Sequence, residues 1–158
     1  ATTLQGRSVD YAVVGAAFHW FDLARARLEF LRILKPPRWT LVAWNEREFE
    51  STPFLAAYDG LLRQFAPDYA RERHKSTYDT AMAVFFGTAD FGEKTFSHRQ
   101  EFDYAGLKGR MLSSSYTPEP GHPNYEPLMA GLEKIFQTHQ VRGRVTFDYT
   151  TRMYYGRL

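Results

Sequence analysis

The stretch VDYAVVGAAFHWFDLARARLEFLRILKPPRWTLVAW, residues 9–44, decides the fold. It opens with the apolar run Val9–Ala17, which predicts a strand buried on both faces, as in a parallel sheet. A helix over residues 23–34 follows, because apolar side chains recur there at helical spacing and Asp22 can cap the first turn. TLVAW, residues 40–44, predicts a second strand. Strand, helix and strand of these lengths form a βαβ unit with parallel strands, so we expect an α/β protein.

The second half of the chain predicts further helices and two strands with alternating faces. Helices are expected from Thr52-Pro53 to Pro67, over 106–113 and over 125–140, and strands over 95–104 and 145–155. Alternation of this kind is typical of antiparallel strands. The region between Pro67 and about residue 92 predicts less regular structure. No linker interrupts the pattern, so residues 1–158 are expected to form a single domain.

Composition excludes several classes of protein. The chain has 158 residues, 44% of them hydrophobic, a net charge of +2 and no cysteine. A charge so near balance does not indicate a nucleic-acid partner. Without cysteine there is no disulfide or thiolate metal site, and His74, His98, His122 and His139 show no ligand spacing, so no metal is expected. No apolar run is long enough to cross a membrane, and we expect a cytoplasmic protein with no membrane partner.

Four segments carry a resemblance to a known family: VDYAVVGAAFHWFD, EFLRILKPPRWTLVAWNERE, MLSSSYTPEPGHPNYEPL and FDYTTRMYYGRL. In this order they resemble the C-terminal part of small-molecule class I S-adenosylmethionine-dependent methyltransferases. The most specific elements are the His-Trp-Phe cluster after the first strand and the Arg-x-Leu-Lys-Pro turn at residues 32–36. Where the family usually has a glycine pair after that proline, this chain has Pro37 and Arg38.

The resemblance implies a partial Rossmann-like fold: the βαβ unit, then helices, then an antiparallel pair of edge strands. A family member would carry three further strands before residue 9, with a glycine-rich loop that approaches the cofactor. None of the eleven glycines of this chain forms a G-x-G motif. The nearest imitation, Gly106 and Gly109, lacks the spacing. The chain is therefore expected to be the C-terminal part of a methyltransferase domain, without its first strands and glycine-rich loop, and inactive by itself.

The resemblance also places the cofactor rim at Ala17, Phe18, His19 and Trp20. His19 lies where open α/β sheets bind ligands, and its imidazole can accept a proton at neutral pH, so it is the candidate catalytic base. The alternatives for His19 are pocket lining and a hydrogen bond to a backbone carbonyl. Trp20 can pack on adenine or near the cationic sulfur. Core packing is the alternative for Trp20 and for Phe18.

Three residues are candidates for contact with a substrate: Asn45, Ser115 and Tyr116. Asn45 follows the second strand and offers both a donor and an acceptor, although an asparagine at this place often forms a turn. Ser115 and Tyr116 belong to the segment that covers the substrate in such enzymes. The alternative for the serine cluster Ser113–Ser115 is that its hydroxyls end a helix and satisfy backbone groups.

Three functions follow from these observations. The first is S-adenosylmethionine-dependent methyl transfer to a small molecule. The second is a non-catalytic α/β module that binds a partner, in which the exposed edge of the strand near Val9 invites a homodimer. The third is nucleic-acid modification, which only scattered basic residues favour.

Overall fold

The computed structural model describes residues 2–69, 78–87 and 91–158, with the side chains of residues 78 and 79 excepted. These residues form a four-stranded sheet in the order β1-β2-β4-β3. The strands are β1 (Val9–Gly15), β2 (Leu34–Arg47), β3 (Phe91–Phe102) and β4 (Val145–Arg157). The helices are α1 (Leu23–Ile33), α2 (Pro53–Phe65), α3 (Tyr78–Phe86), α4 (Tyr104–Leu112) and α5 (Tyr125–His139), and a short 3₁₀ turn spans Phe18–Trp20.

The predicted βαβ unit is confirmed. β1 pairs with β2 in parallel, with Ala12 opposite Thr40 and Gly15 opposite Ala43. Asp22 caps α1, because its Oδ1 accepts a hydrogen bond from the Arg25 amide at 3.1 Å. The α/β fold class predicted from the sequence is therefore correct.

The strand predicted over residues 40–44 is longer at both ends. β2 begins at Leu34, directly after α1, and pairs there with Val9. The register then shifts between Val9 and Tyr11, and the intervening part of β2 contains Pro36 and Pro37. Proline has no amide hydrogen for a strand ladder, so an irregularity of the pairing accommodates both prolines.

β4 runs antiparallel to both of its neighbours. The Leu158 amide donates to the Arg38 carbonyl at 3.3 Å and the Glu48 amide donates to the Asp148 carbonyl at 2.9 Å, so residue numbers fall in β4 as they rise in β2. Arg99 of β3 pairs with Asp148 of β4 at 2.8 Å and Glu93 pairs with Arg152 at 3.4 Å, so β3 and β4 are antiparallel as well. The predicted antiparallel pair is confirmed, but of its two strands only β3 is an edge strand, because β4 lies between β2 and β3.

α3 was not predicted, since the region after Pro67 was expected to be irregular. The helix contains the apolar run from Ala81 to Phe86, which has no polar face and therefore no amphipathic period. Met82, Phe85 and Phe86 are fully buried. The remainder of that region, residues 70–77 and 88–90, lies outside the described residues.

The chain divides into two compact units. Unit 1 comprises Ala1–Glu46, Thr77–Ser97 and Thr150–Leu158, and unit 2 comprises Arg47–Ser76 and His98–Tyr149. Each has its own core: in unit 1, Val14, Phe18, Val42, Met82, Phe85, Phe86 and Tyr154, and in unit 2 a larger set from α2, α4, α5 and β4 centred on Tyr58, Leu62, Leu107, Leu132 and Phe147. The single domain expected from the sequence stays a prediction.

β1 is not buried on both faces, contrary to the prediction from its apolar sequence. Val14 is buried in the core of unit 1, whereas Tyr11 and Val13 are 68% and 63% exposed. Side chains alternate between the faces of a strand, and no described helix covers the face that carries Tyr11 and Val13. With Trp39 and Leu41 of β2 they line an apolar groove of about 330 Å³.

Arg38 occupies a position where the resemblance calls for glycine, and in the structure this position lies within β2 and not in a turn. Its φ of 62° lies in the left-handed region, which is unfavourable for a residue with a Cβ. Its Nε is also buried without a hydrogen-bond partner among the described residues. Both features oppose folding at this position.

Arg38→Gly is therefore expected to raise the free energy of unfolding by about 1 kcal/mol, because glycine adopts positive φ without strain. Urea denaturation of the native and variant chains measures the change. Arg25→Gly, the same substitution inside α1, serves as the control and is expected to lower stability by about 1 kcal/mol. A loss of stability in Arg38→Gly similar to that of the control would contradict the assignment of strain.

Candidate functional site

The chain leaves the sheet at the carboxyl end of β1 through a sharp turn. The Ala16 amide still bonds to the Ala43 carbonyl at 2.9 Å, and Ala16 then has a φ of 50°. The 3₁₀ turn follows at once, closed by the Trp20 amide on the Ala17 carbonyl at 3.1 Å. Ligands of open α/β sheets bind at the carboxyl ends of the strands. The predicted rim, Ala17–Trp20, is at that edge of the sheet.

Phe18 anchors this turn to the core. Its side chain is 3% exposed and its ring meets that of Phe85 edge-on, with centroids 5.1 Å apart. The core packing considered for Phe18 is thus what the structure shows for its side chain. Any contact of Phe18 with a cofactor would come from its backbone.

His19 and Trp20 point away from that core. Both are exposed, Trp20 by 77%, and their ring centroids are 4.7 Å apart. No described residue forms a hydrogen bond with the ring of His19, so the bond to a backbone carbonyl considered as an alternative is not seen within the described ranges. Ala17 is half-buried between these exposed rings and the core. Two aromatic rings at the carboxyl edge of β1 therefore offer a surface for a planar ligand.

Asn45 lies inside β2 rather than in a turn after it, so the turn alternative is wrong. Its Oδ1 accepts a hydrogen bond from the Thr151 hydroxyl of β4 at 2.7 Å. The residue is exposed, and its amide group retains its donors. Asn45 belongs to unit 1, as do Ala17–Trp20.

The serine cluster ends α4. The hydroxyls of Ser113 and Ser114 donate to the Arg110 carbonyl at 2.8 and 3.3 Å, which confirms the alternative role for these two. Ser115 is exposed and has no side-chain hydrogen bond among the described residues. Tyr116 is half-buried, with its ring 5.0 Å from that of Tyr69. Ser115 and Tyr116 belong to unit 2.

Unit 2 also contains a buried polar network that the sequence analysis missed. Asp59 of α2 is 4% exposed and accepts hydrogen bonds from the Tyr69 hydroxyl at 2.5 Å and from Arg63 Nε at 2.7 Å. Arg47 donates to the Tyr69 hydroxyl, and its Nη2 lies 4.0 Å from Asp59 Oδ1. An acid inside an apolar helix with an arginine four positions later was the available sequence signal.

Two arginines of unit 2, Arg47 and Arg110, pack on aromatic rings. The guanidinium carbon of Arg47 is 5.1 Å from the ring centroid of Tyr58, and that of Arg110 is 4.6 Å from the ring centroid of Phe147. Arg110 Nε donates to the Tyr149 hydroxyl at 2.9 Å. Such stacking holds each cation at low dielectric beside rings that favour positive charge.

Two phenols of unit 2, those of Tyr58 and Tyr69, stay protonated at neutral pH. Burial raises the pKa of Tyr58 to about 12. Burial, followed by the hydrogen bond to Asp59, raises the pKa of Tyr69 as well. Both hydroxyls are therefore hydrogen-bond donors under physiological conditions.

A further groove lies apart from these residues. It has a volume of about 600 Å³, belongs to unit 2, and is lined by residues including Phe54, Glu101, Arg142 and Arg144, and by none of the predicted site residues.

Within the described ranges no group of three His, Cys, Asp or Glu side chains could hold a metal ion; His74 lies outside these ranges. Nor is any helix in the described part of the chain both long and apolar enough to cross a membrane.

Asp59→Asn is expected to lower the free energy of unfolding by about 3 kcal/mol, because the buried Arg47 would lose its counter-charge. Urea denaturation monitored by circular dichroism provides the measurement. Glu133→Gln, at an exposed acid of α5, is the matched control and should change stability by less than about 0.5 kcal/mol. Equal stabilities for the two variants would show that Asp59 does not hold the network.

Comparison with known proteins relates the chain to methyltransferases. No family model matches it. It is 26% identical over 159 residues to a protein of Schizosaccharomyces pombe named as an uncharacterized methyltransferase, an alignment that covers 98% of this chain and 61% of that protein. A second S. pombe protein, named as methyltransferase-like and uncharacterized, is 31% identical over 68 residues, or 43% of this chain and 26% of its own length. The chain thus spans about three fifths of the first curated relative.

Two solved structures share the fold of this chain. A protein of Anaeromyxobacter dehalogenans described as a candidate type II methyltransferase superimposes with a TM-score of 0.64 at 19% identity, over 98% of this chain and 66% of its own. The YcgJ protein of Bacillus subtilis gives a TM-score of 0.50 at 16% identity, over 99% of this chain and 67% of its own. The chain therefore has a class I methyltransferase-like fold and is related in sequence to proteins named as methyltransferases.

Proposed function

We propose that this chain is part of an S-adenosylmethionine-dependent methyltransferase that acts on a small molecule. The observation that carries the proposal is the position of His19 and Trp20, exposed side by side at the carboxyl end of β1. The shared fold and the methyltransferase relatives support the reaction class. Because the chain covers only part of those relatives, the activity of the whole protein belongs to this proposal.

The exposed residues of unit 1 suit the rim of a cofactor site. S-adenosylmethionine, when bound, supplies an activated methyl group on a cationic sulfur. Trp20 would hold the cofactor by stacking on its adenine or by facing the sulfonium, an interaction worth about 0.5–2 kcal/mol. Backbone groups of Ala17 and Phe18 would line the same edge. These residues fit the rim of a cofactor site. The glycine-rich loop that the resemblance implies is not among the 158 residues.

The remaining candidates would act on the substrate. Methyl transfer needs alignment of nucleophile, methyl and sulfur, and exclusion of water. His19 would accept the proton of a nucleophile that must lose one, because neither of its ring nitrogens is engaged by a described residue. In unit 1 the amide of Asn45 would contact polar groups of a substrate. The same role is proposed, separately, for the hydroxyl of Ser115 and the phenol of Tyr116 in unit 2.

A second candidate function is a non-catalytic module that binds a partner, such as a second copy of this chain. The apolar groove of Tyr11, Val13 and Trp39 favours it, since exposed apolar surface beside an unpaired strand edge favours association. In a longer polypeptide, such as the relatives have, the additional residues would cover the same groove within one molecule. Sedimentation of the chain and of a longer form distinguishes a groove that binds a second copy from a groove that is covered within one molecule.

The 158-residue chain is expected to bind S-adenosylmethionine weakly or not at all, and an N-terminally extended form with a glycine-rich strand-loop-helix is expected to bind it. Isothermal titration calorimetry of both forms measures the difference. In the extended form, Trp20→Ala should weaken binding about tenfold, and Leu28→Ala, at another exposed apolar residue of unit 1, should not. Tight binding by the short chain would refute the need for the extension, and no binding by the extended form would favour the non-catalytic module.

His19→Ala in the extended form is expected to lower the rate of methyl transfer by about a hundredfold or more, because general-base catalysis contributes that much. The rate is compared at saturating cofactor, because the His19 ring also belongs to the proposed cofactor rim. Transfer of radiolabelled methyl to substrate measures the rate, with His122→Ala at an exposed histidine as the control. An unchanged rate in His19→Ala would remove the base from the mechanism.

A further inference from the structure

The hydroxyl of Tyr58 is a buried polar atom with no hydrogen-bond partner among the described residues. The side chain is fully buried, and its ring meets that of Phe147 edge-on with centroids 5.1 Å apart. Native proteins leave few buried polar groups unsatisfied, and each such group needs an explanation. A ligand that completes the site is one such explanation.

Arg110 is a second group with an unmet requirement. It is half-buried, yet no described carboxylate lies within ion-pair distance of it. Arg47 provides the contrast, because it packs on aromatic rings in the same unit but has Asp59 as its counter-charge. A partly desolvated arginine is normally paired with an anion. Among the described residues, only the Nε of Arg110 forms a hydrogen bond, to the Tyr149 hydroxyl, so its terminal nitrogens remain available to a ligand.

The side chains that carry these two groups pack on the same ring. The guanidinium carbon of Arg110 is 4.6 Å from the ring centroid of Phe147, the ring on which Tyr58 also packs. Burial raises the pKa of Tyr58. Among the neighbouring groups, Arg110 lowers this pKa most, and Tyr116 raises it further. Tyr58, Tyr116 and Arg110 therefore share one electrostatic environment inside unit 2.

We propose that Arg110 and the hydroxyls of Tyr58 and Tyr149 bind the carboxylate group of a small organic molecule, with Tyr116 at the opening. The planar guanidinium presents two parallel N–H donors that match the two carboxylate oxygens. Tyr58 adds a third donor. Tyr149 accepts from Arg110 and keeps its own hydroxyl hydrogen for the ligand.

The surroundings favour an organic carboxylate over inorganic phosphate. The rings of Phe147 and Tyr149 flank the guanidinium and suit an apolar body attached to the charge. Phosphate carries more charge over more oxygens and is usually held by several backbone amides or cations. The Tyr58 hydroxyl is closed to solvent, so the ligand enters by rotation of the half-buried Arg110 or Tyr116 side chain, a common rearrangement on binding.

The identification of this carboxylate compound as the methyl acceptor rests on the proposed function. The binding site itself does not, since every group in it belongs to unit 2 of this chain. The binding test therefore uses the chain without S-adenosylmethionine.

The test is titration of the ¹⁵N-labelled chain with benzoate, followed by NMR, with benzamide as the uncharged analogue of the same shape. Benzoate is expected to shift signals of α4 and β4, and benzamide is not. Arg110→Met should weaken benzoate binding about tenfold or more, the loss that follows removal of a charged hydrogen bond. Arg110→Lys should restore part of it, because the charge remains but the two-pronged geometry does not.

Tyr58→Phe keeps the variant folded, because it removes only the unsatisfied hydroxyl, and it should weaken benzoate binding about threefold. Arg144→Met, at an exposed arginine of unit 2, is the matched control and should leave binding unchanged. Absence of benzoate binding by the folded chain, equal binding by Arg110→Met, or Arg110-dependent binding of inorganic phosphate in place of benzoate would overturn the proposal. If an extended form binds no S-adenosylmethionine while benzoate binding still needs Arg110, the proposed function fails and this site stands.

Discussion

The parallel pairing of β1 with β2 is the constraint on which the rest of unit 1 depends. Parallel strands require a crossover, and α1 supplies it with its capped first turn and its direct passage into Leu34. The pairing makes both strands end at the same edge of the sheet, so the turn after Gly15 must leave the sheet there. Phe18 ties that turn to Phe85, and this anchor turns His19 and Trp20 outward.

Unit 2 differs from unit 1 in that two arginines pack on the aromatic rings of its core. Asp59 neutralises Arg47 inside the core, which makes the burial of that arginine tolerable. Arg110 has the same ring contacts without the same compensation. Unit 2 supplies a counter-charge to Arg47 but none, among the described residues, to the half-buried Arg110. The proposed ligand binds at Arg110. The contrast between the two arginines locates the carboxylate site more sharply than either residue alone.

The sequence reveals the parts of this molecule in which a local pattern determines the structure. The run from Val9 to Trp44 contains a strand, a capped helix and a second strand in adjacent positions, so the βαβ unit could be predicted. α3 could not, because its run from Ala81 to Phe86 is apolar on all sides and shows no helical period. The convergence of Tyr58 and Arg110 on the ring of Phe147 could not be predicted either, since they lie on different helices far apart in sequence. Burial of Phe18 beside exposed Trp20 likewise depends on tertiary packing.

The most direct test of the central claim, that the turn after β1 is the rim of a cofactor site, is a search for nuclear Overhauser effects in an N-terminally extended form saturated with S-adenosylhomocysteine. The account predicts effects between the adenine or ribose protons of the ligand and the rings of Trp20 and His19. Effects confined to other residues, with the Trp20 and His19 rings untouched by bound ligand, would contradict it.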